Sequence, residues 1–163
     1  KGKVIDVRRD DVIISNGHNS IREVVEHSGG VVILALHNNN ILLVKQFRYP
    51  LKTTSIELPA GKLEKGEDPD IASRRELLEE TGFIAKSWVS LGYIYTSPGF
   101  CDEKLHLYFA KELEYKQQSP DEDEIIECYE ESVETVINMI NNGRINDSKT
   151  ICAIMRAREY LYD

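Results

Sequence analysis

The sequence predicts a single layered α+β domain, and three observations point there. Its 163 residues are 41% hydrophobic and 29% charged, the balance of one ordinary globular unit. Strand-like segments crowd residues 1–45, whereas helical periodicity appears later and at scattered places, so there is no strict β–α alternation. Ten glycines and five prolines punctuate the chain without forming a linker or a low-complexity tract. A domain of this size buries roughly two-thirds of its unfolded surface, enough to stand without disulfides or a structural metal. One domain over 1–163 is expected, with 1–28 as N-terminal strands and 29–163 as the core.

Taken in order, apolar alternation predicts strands at 4–7, 12–15, 21–27, 30–36 and 41–46. Asn16-Gly17 and Asn38-Asn39-Asn40 supply the turns of antiparallel hairpins. Asp68-Pro69 provides an N-cap and a first-turn proline, Gly82 sits where a C-terminal glycine belongs, and a helix over 69–81 follows. Two more strands are expected at 88–96 and 105–111, and a short one near 125–129. The spacing of Val133, Val136, Ile137 and Ile140 predicts a helix at about 132–141, and Ile151, Ile154, Met155 and Leu161 predict another at 148–161.

Charge and cysteine usage narrow the function classes. Net charge is −8, and residues 121–134 hold eight acids and no base, so the remaining 20 acids balance the 20 bases. A chain whose charge outside that stretch sums to zero is a poor match for a nucleic-acid polymer. If phosphate is the substrate, a metal must bridge it. No apolar run approaches the 18 residues of a membrane span, and the N-terminal residues lack the pattern of a secretory signal. Cys101, Cys128 and Cys152 are odd in number and widely spaced, which suits a reducing, cytoplasmic setting.

The chemistry concentrates in residues 61–83. On the predicted helix Glu76 and Glu79 are i,i+3 and Glu76 and Glu80 are i,i+4, so three carboxylates share one face. Like charges so placed repel unless a cation neutralises them, and hard oxygen donors suit Mg²⁺ or Mn²⁺. Ile71 and Leu78 project away from Glu76 and are expected to anchor the helix while the acids face a cleft. Taken alone, such a run reads more readily as a solvated acidic face.

The flanks decide between these readings. Gly61, Glu67, Arg75, Glu76, Glu79, Glu80 and Gly82, with apolar Leu77 and Phe83, match the spacing of the Nudix box at every specified position. Seven such identities coincide by chance at roughly 10⁻⁸ per start point. The segment therefore resembles that of a Nudix hydrolase. The resemblance extends over most of the chain and favours the ADP-ribose pyrophosphatase branch, because Ser55–Gly61 leads into the box in that branch's style and Ser97-Pro98-Gly99 places Pro98 sixteen residues after Gly82.

The resemblance implies an α/β/α sandwich with a mixed sheet and an N-terminal antiparallel hairpin region. It implies an enzyme that hydrolyses the diphosphate of ADP-ribose or a close nucleoside diphosphate sugar. Glu76, Glu80 and the carbonyl of Ala60 would hold Mg²⁺, with Mn²⁺ as a substitute, and Glu79 would act beside them. Arg75 and Glu67 would orient these ligands, and a guanidinium fork suits that task. The acidic loop would supply Glu122 as general base and Glu124 as a further metal contact. Substrate contacts would fall on Arg22, Glu23, His27, Arg48, Ser97, Pro98, Gly99 and Glu103. The branch's habit also implies a homodimer with exchanged N-terminal strands. Alternatives are a Nudix enzyme for a GDP-sugar or dinucleoside polyphosphate, or a non-catalytic nucleotide-sensing module.

Overall fold

The computed structural model describes residues 2, 4–118 and 125–162. The N-terminal segment is one hairpin of β1 (Ile5–Ile13) and β2 (Asn19–His27), in unbroken register from Ile5 opposite His27 to Ile13 opposite Asn19. Two strands, at 4–7 and 12–15, were expected, split by the charged run Arg8–Asp11. The structure corrects this to a single strand. Charges do not interrupt a two-stranded ribbon, because their side chains reach water and each other: Arg8 donates to Asp10 at 3.0 Å and pairs across the ribbon with Glu26.

The next strands are buried on both faces and read as near-continuous apolar runs. They are β3 (Gly30–His37) and β4 (Asn40–Arg48), joined by a tight turn in which Asn38 and Asn39 both take positive φ, a conformation asparagine tolerates. β3 and β4 pair only at the turn end, Leu36 with Ile41 and His37 with Asn40, and then part. Into the opening come β5 (Thr53–Glu57) along β4 and β6 (Ala60–Lys62) along the start of β3. Neither short strand was foreseen, since neither has a periodic apolar pattern of its own.

The helix α1 (Pro69–Thr81) follows with the caps the sequence predicts. Asp68 accepts from the Asp70 N–H at 2.8 Å, Pro69 opens the first turn, and Gly82 closes it at φ 77° with its N–H on the Leu78 carbonyl. β7 (Phe83–Tyr95) starts at once, five residues before the expected 88, and pairs antiparallel with β8 (Lys104–Tyr115). β8 lies parallel to β3, and β9 (Ile126–Ser132) lies antiparallel to β4, so the seven-stranded sheet is mixed.

Helices close both faces. α2 (Val133–Asn141) and α3 (Ser148–Arg156) are capped by Ser132 and Asp147. Val32, Leu34, Ile41, Leu43, Leu107 and Phe109 pack under these two helices, whereas Val31, Ile33, Ala35, Leu42, Tyr108 and Ala110 pack under Ala72 and Leu77 of α1. Alternation along the strands thus feeds two cores, giving an α/β/α sandwich. α3 ends before 161. The chain tightens into a 3₁₀ turn at Arg158–Tyr160, which stacks Tyr160 on Phe109 at 5.3 Å and buries Leu161. Among the described residues no helix is long and apolar enough to cross a membrane.

Candidate active site

α1 carries the site, and it packs differently from the simple expectation. Ile71 is 63% exposed and does not anchor the helix. The buried stripe is Ala72, Ser73, Glu76, Leu77, Glu80 and Thr81, so the acids lie on the packed side. The reason is spacing: Ala72, Glu76 and Glu80 are each four apart, and Ser73, Leu77 and Thr81 form the adjoining row. Small residues at 72 and 73 let the helix approach the sheet while the glutamates reach its edge beside β6.

Two backbone features receive these carboxylates. The Ala60 N–H donates to Glu80 at 2.9 Å. Gly61 lies against Glu76 so closely that a Cβ there would meet the carboxylate carbon at 1.9 Å. Both glutamates are buried, at 8% and 3% exposure.

Arg75 organises the rest. Its fork donates to both oxygens of Glu67, each at 3.0 Å, while Nη1 bridges Glu76 at 2.7 Å and Glu79 at 2.8 Å. The hydrogen bonds from Arg75 hold the Glu67 carboxyl below its ordinary range, and the same partners, Glu67 first, raise the pKa of Arg75. Glu67 also accepts from the Glu64 N–H at 2.9 Å, which ties the lead-in loop to the helix.

These groups open onto a cleft of about 830 Å³ lined by His27, Arg48, Ala60, Gly61, Arg75, Glu76, Thr96, Glu103 and Lys149, among others. The His27 Nδ1 accepts from the Gly29 N–H at 3.0 Å. Glu103 accepts from the Thr96 hydroxyl at 2.6 Å and stands 3.4 Å from His27.

The cleft thus gathers His27, Arg48, Glu103, Ala60, Arg75 and Glu76 of the residues expected from sequence. It does not gather all of them. Arg22 and Glu23 lie on the exposed part of β2, with Arg22 donating back to Ser20 and to the Ile21 carbonyl, both at 2.8 Å. Ser97 shapes a turn through its carbonyl, which accepts from Phe100 and Cys101, and Pro98 and Gly99 are exposed outside the cleft lining. That turn fastens β2 instead: Val25 N–H donates to the Phe100 carbonyl at 2.7 Å and His27 N–H to Asp102 at 2.8 Å. Glu122 and Glu124 lie outside the described residues.

Sequence reasoning missed a second charged group at the cleft. Glu57, only 2% exposed, accepts a two-pronged bond from Arg48 at 2.8 and 2.5 Å and a further one from Lys149, which also donates to Asp147 at 2.9 Å. Burial alone would raise the Glu57 carboxyl, but these cations outweigh it and hold it at about 2. The available signal was a carboxylate between Ile56 and Leu58, a setting that demands a charged partner.

The donor set of carboxylates and a backbone carbonyl fits a hard divalent cation. Among the described residues no three acidic, histidine or cysteine side chains form a ready-made metal cluster.

Comparison with known proteins gives the same picture. The model of the NUDIX domain matches residues 26–153. Over 156 residues the chain is 46% identical to the ADP-ribose pyrophosphatase of Bacillus subtilis (strain 168), and 45% identical to the methanol dehydrogenase activator of Bacillus methanolicus; each match covers 94% of this chain and 84% of the relative. A solved structure described as a crystal structure of ADP compounds hydrolase superposes with a TM-score of 0.87 over 99% of this chain and 88% of its own, and at 21% identity it speaks to the fold alone. With the box residues assembled around Arg75 and the domain matched across most of its length, the chain belongs to the NUDIX domain family.

Proposed function

We propose that this protein hydrolyses the diphosphate bond of ADP-ribose to AMP and ribose 5-phosphate, with Mg²⁺ as the resident ion and Mn²⁺ able to replace it. The observation that carries the reading is the Arg75-centred carboxylate group, with Glu76 and Glu80 buried beside a cleft large enough for a nucleotide sugar. The identity to a relative named ADP-ribose pyrophosphatase over nearly the whole chain supports the substrate.

The bound ion would supply charge neutralisation on the diphosphate and a more acidic water. Glu76, Glu80 and the Ala60 carbonyl would hold it. Arg75, Glu67 and Glu79 fix those ligands before substrate arrives, so little reorganisation is left for the reaction itself. Arg48 contacts phosphate oxygens with the N–H groups not given to Glu57. His27 and Glu103 face the nucleoside or terminal ribose. Glu122 takes the proton of the attacking water, and Glu124 is a further metal contact. Arg22 and Glu23 act in the partner's cleft of a homodimer. The 163 residues work as a single domain in the cytoplasm.

The test is a substrate panel with Mg²⁺ and product identification. AMP plus ribose 5-phosphate from ADP-ribose is expected. Faster turnover of a GDP-sugar or a dinucleoside polyphosphate would move the enzyme to another branch, and binding without any product would make it a sensing module.

A further inference from the structure

The last four carbonyls of an α-helix have no main-chain partner within it, and in α1 they belong to the turn that carries Glu79 and Glu80. The Leu78 carbonyl accepts from the Gly82 N–H at 2.8 Å. The Glu80 carbonyl takes its bond from outside the helix, from the side-chain amide of Gln118 at 2.6 Å. No basic residue stands in the last turn of α1, so Gln118 supplies the donor that a lysine or arginine often gives at a helix C-terminus. This contact spans 38 residues of sequence, and the function proposed above makes no use of it.

The chain leaving β8 is pressed onto the end of the helix. The Lys116 N–H donates to the Gly82 carbonyl at 2.7 Å, and the Tyr115 ring meets Phe83 edge-on at 5.3 Å. A Cβ on Gly82 would stand 2.7 Å from the Gln118 main-chain nitrogen and 2.8 Å from the Tyr115 ring, so only glycine allows the crossing. Glu80 is therefore held at both ends. Its carboxylate is seated on the Ala60 N–H at 2.9 Å, and its own carbonyl is tied to Gln118. A carboxylate on a flexible stem keeps a fixed position only if its backbone is fixed too, because a small shift of the last helical turn carries the oxygens off β6.

We propose that Gln118 is a positioning residue for divalent-cation capture, acting through the main chain of Glu80. It deepens the reading of Glu76 and Glu80 as ion ligands and rests on that reading for the ion. Gln118 touches neither ion nor substrate. Its amide fixes the last turn of α1 against the exit of β8, as the Ala60 N–H fixes the Glu80 carboxylate against β6. The two bonds together keep the Glu80 oxygens where Glu76 and the Ala60 carbonyl can share a cation with them.

The experiment compares wild type with Gln118→Met, Gln118→Ala and Asp68→Ala. Met keeps the length of the side chain without the donor, and Ala removes the donor without setting a new group against the helix. Asp68→Ala loosens the opposite end of the same helix and serves as the control. The probe is Mn²⁺ alone, with free ion counted by its electron paramagnetic resonance signal, and a melting curve shows that each variant is folded. Mn²⁺ affinity is expected to fall about tenfold in both Gln118 variants and to stay within about twofold of wild type in Asp68→Ala. In kinetics on ADP-ribose the half-saturating Mg²⁺ concentration should rise by the same factor, with KM and with kcat at saturating Mg²⁺ within about twofold. Wild-type Mn²⁺ affinity in the Gln118 variants overturns the proposal and leaves the ion site standing. An equal loss in Asp68→Ala also overturns it, since any loosening of α1 would then do the same. Wild type that binds no Mn²⁺ removes the ion reading itself, and the role of Gln118 with it.

Discussion

Gly61 shows how a single missing side chain can seat a buried carboxylate. A methyl at this position would sit 1.9 Å from the Glu76 carboxylate carbon, so Gly61→Ala must push that carboxylate out of its seat. Metal affinity, measured by activity against Mg²⁺ concentration, is expected to fall about 10- to 100-fold, with the circular dichroism spectrum unchanged. Glu80→Gln should abolish metal-dependent turnover in a folded protein, because its carboxylate is both buried and seated on the Ala60 N–H. Glu122→Gln should lower kcat by about 10²- to 10⁴-fold while nucleotide binding stays near wild type, and an unaltered rate would reassign the base to another acid. The box glutamates were readable because their pattern is local, within one helical turn. Glu57 was not, because its partners lie nine residues away at Arg48 and 92 away at Lys149.

At the scale of elements, α1 illustrates where periodicity informs and where it misleads. Its limits follow from Asp68, Pro69 and Gly82, each with a mechanism, and they were legible. Its packed side was not, since Ile71 looks like an anchor and is exposed while Glu76 and Glu80 are buried. A helix that buries its acids is stable only because β6 and Arg75 receive them. Asp68→Ala removes the cap and should cost about 1 kcal/mol, read as a fall of about 2–4 °C in Tm.

The junction of β5 with α3 adds a pH dependence. The Glu57 carboxyl is depressed from 4.5 to about 2 in the folded protein, so it contributes stability that is present above about 4.5 and lost as pH falls toward 2. Wild-type Tm should therefore drop across that window. Glu57→Gln should be less stable by about 3–5 kcal/mol near neutrality and show a shallower acid drop.

The whole molecule leaves its N-terminal hairpin only partly covered. Val7 is 65% exposed, Ile13 76% and Ile21 47%, on a ribbon fastened to the core through Val25 and His27. An isolated two-stranded ribbon is marginal in water, and the homodimer proposed above would cover it. Sedimentation is expected to give a dimer. A monomer at working concentration would remove the roles proposed for Arg22 and Glu23, whose side chains do not reach the cleft of their own chain. The α+β class, the hairpin turns, the capped helix and the clustering of the box acids could all be read from residues near one another in the chain, because caps, turns and helical faces are set by neighbours within about four positions. The short strands β5 and β6, the inward turn of the acids and the pairing of Glu57 with Arg48 and Lys149 came only with the folded chain. Each depends on segments far apart in sequence closing on one another, and a charge buried by such closure takes its meaning from the partner that arrives with it.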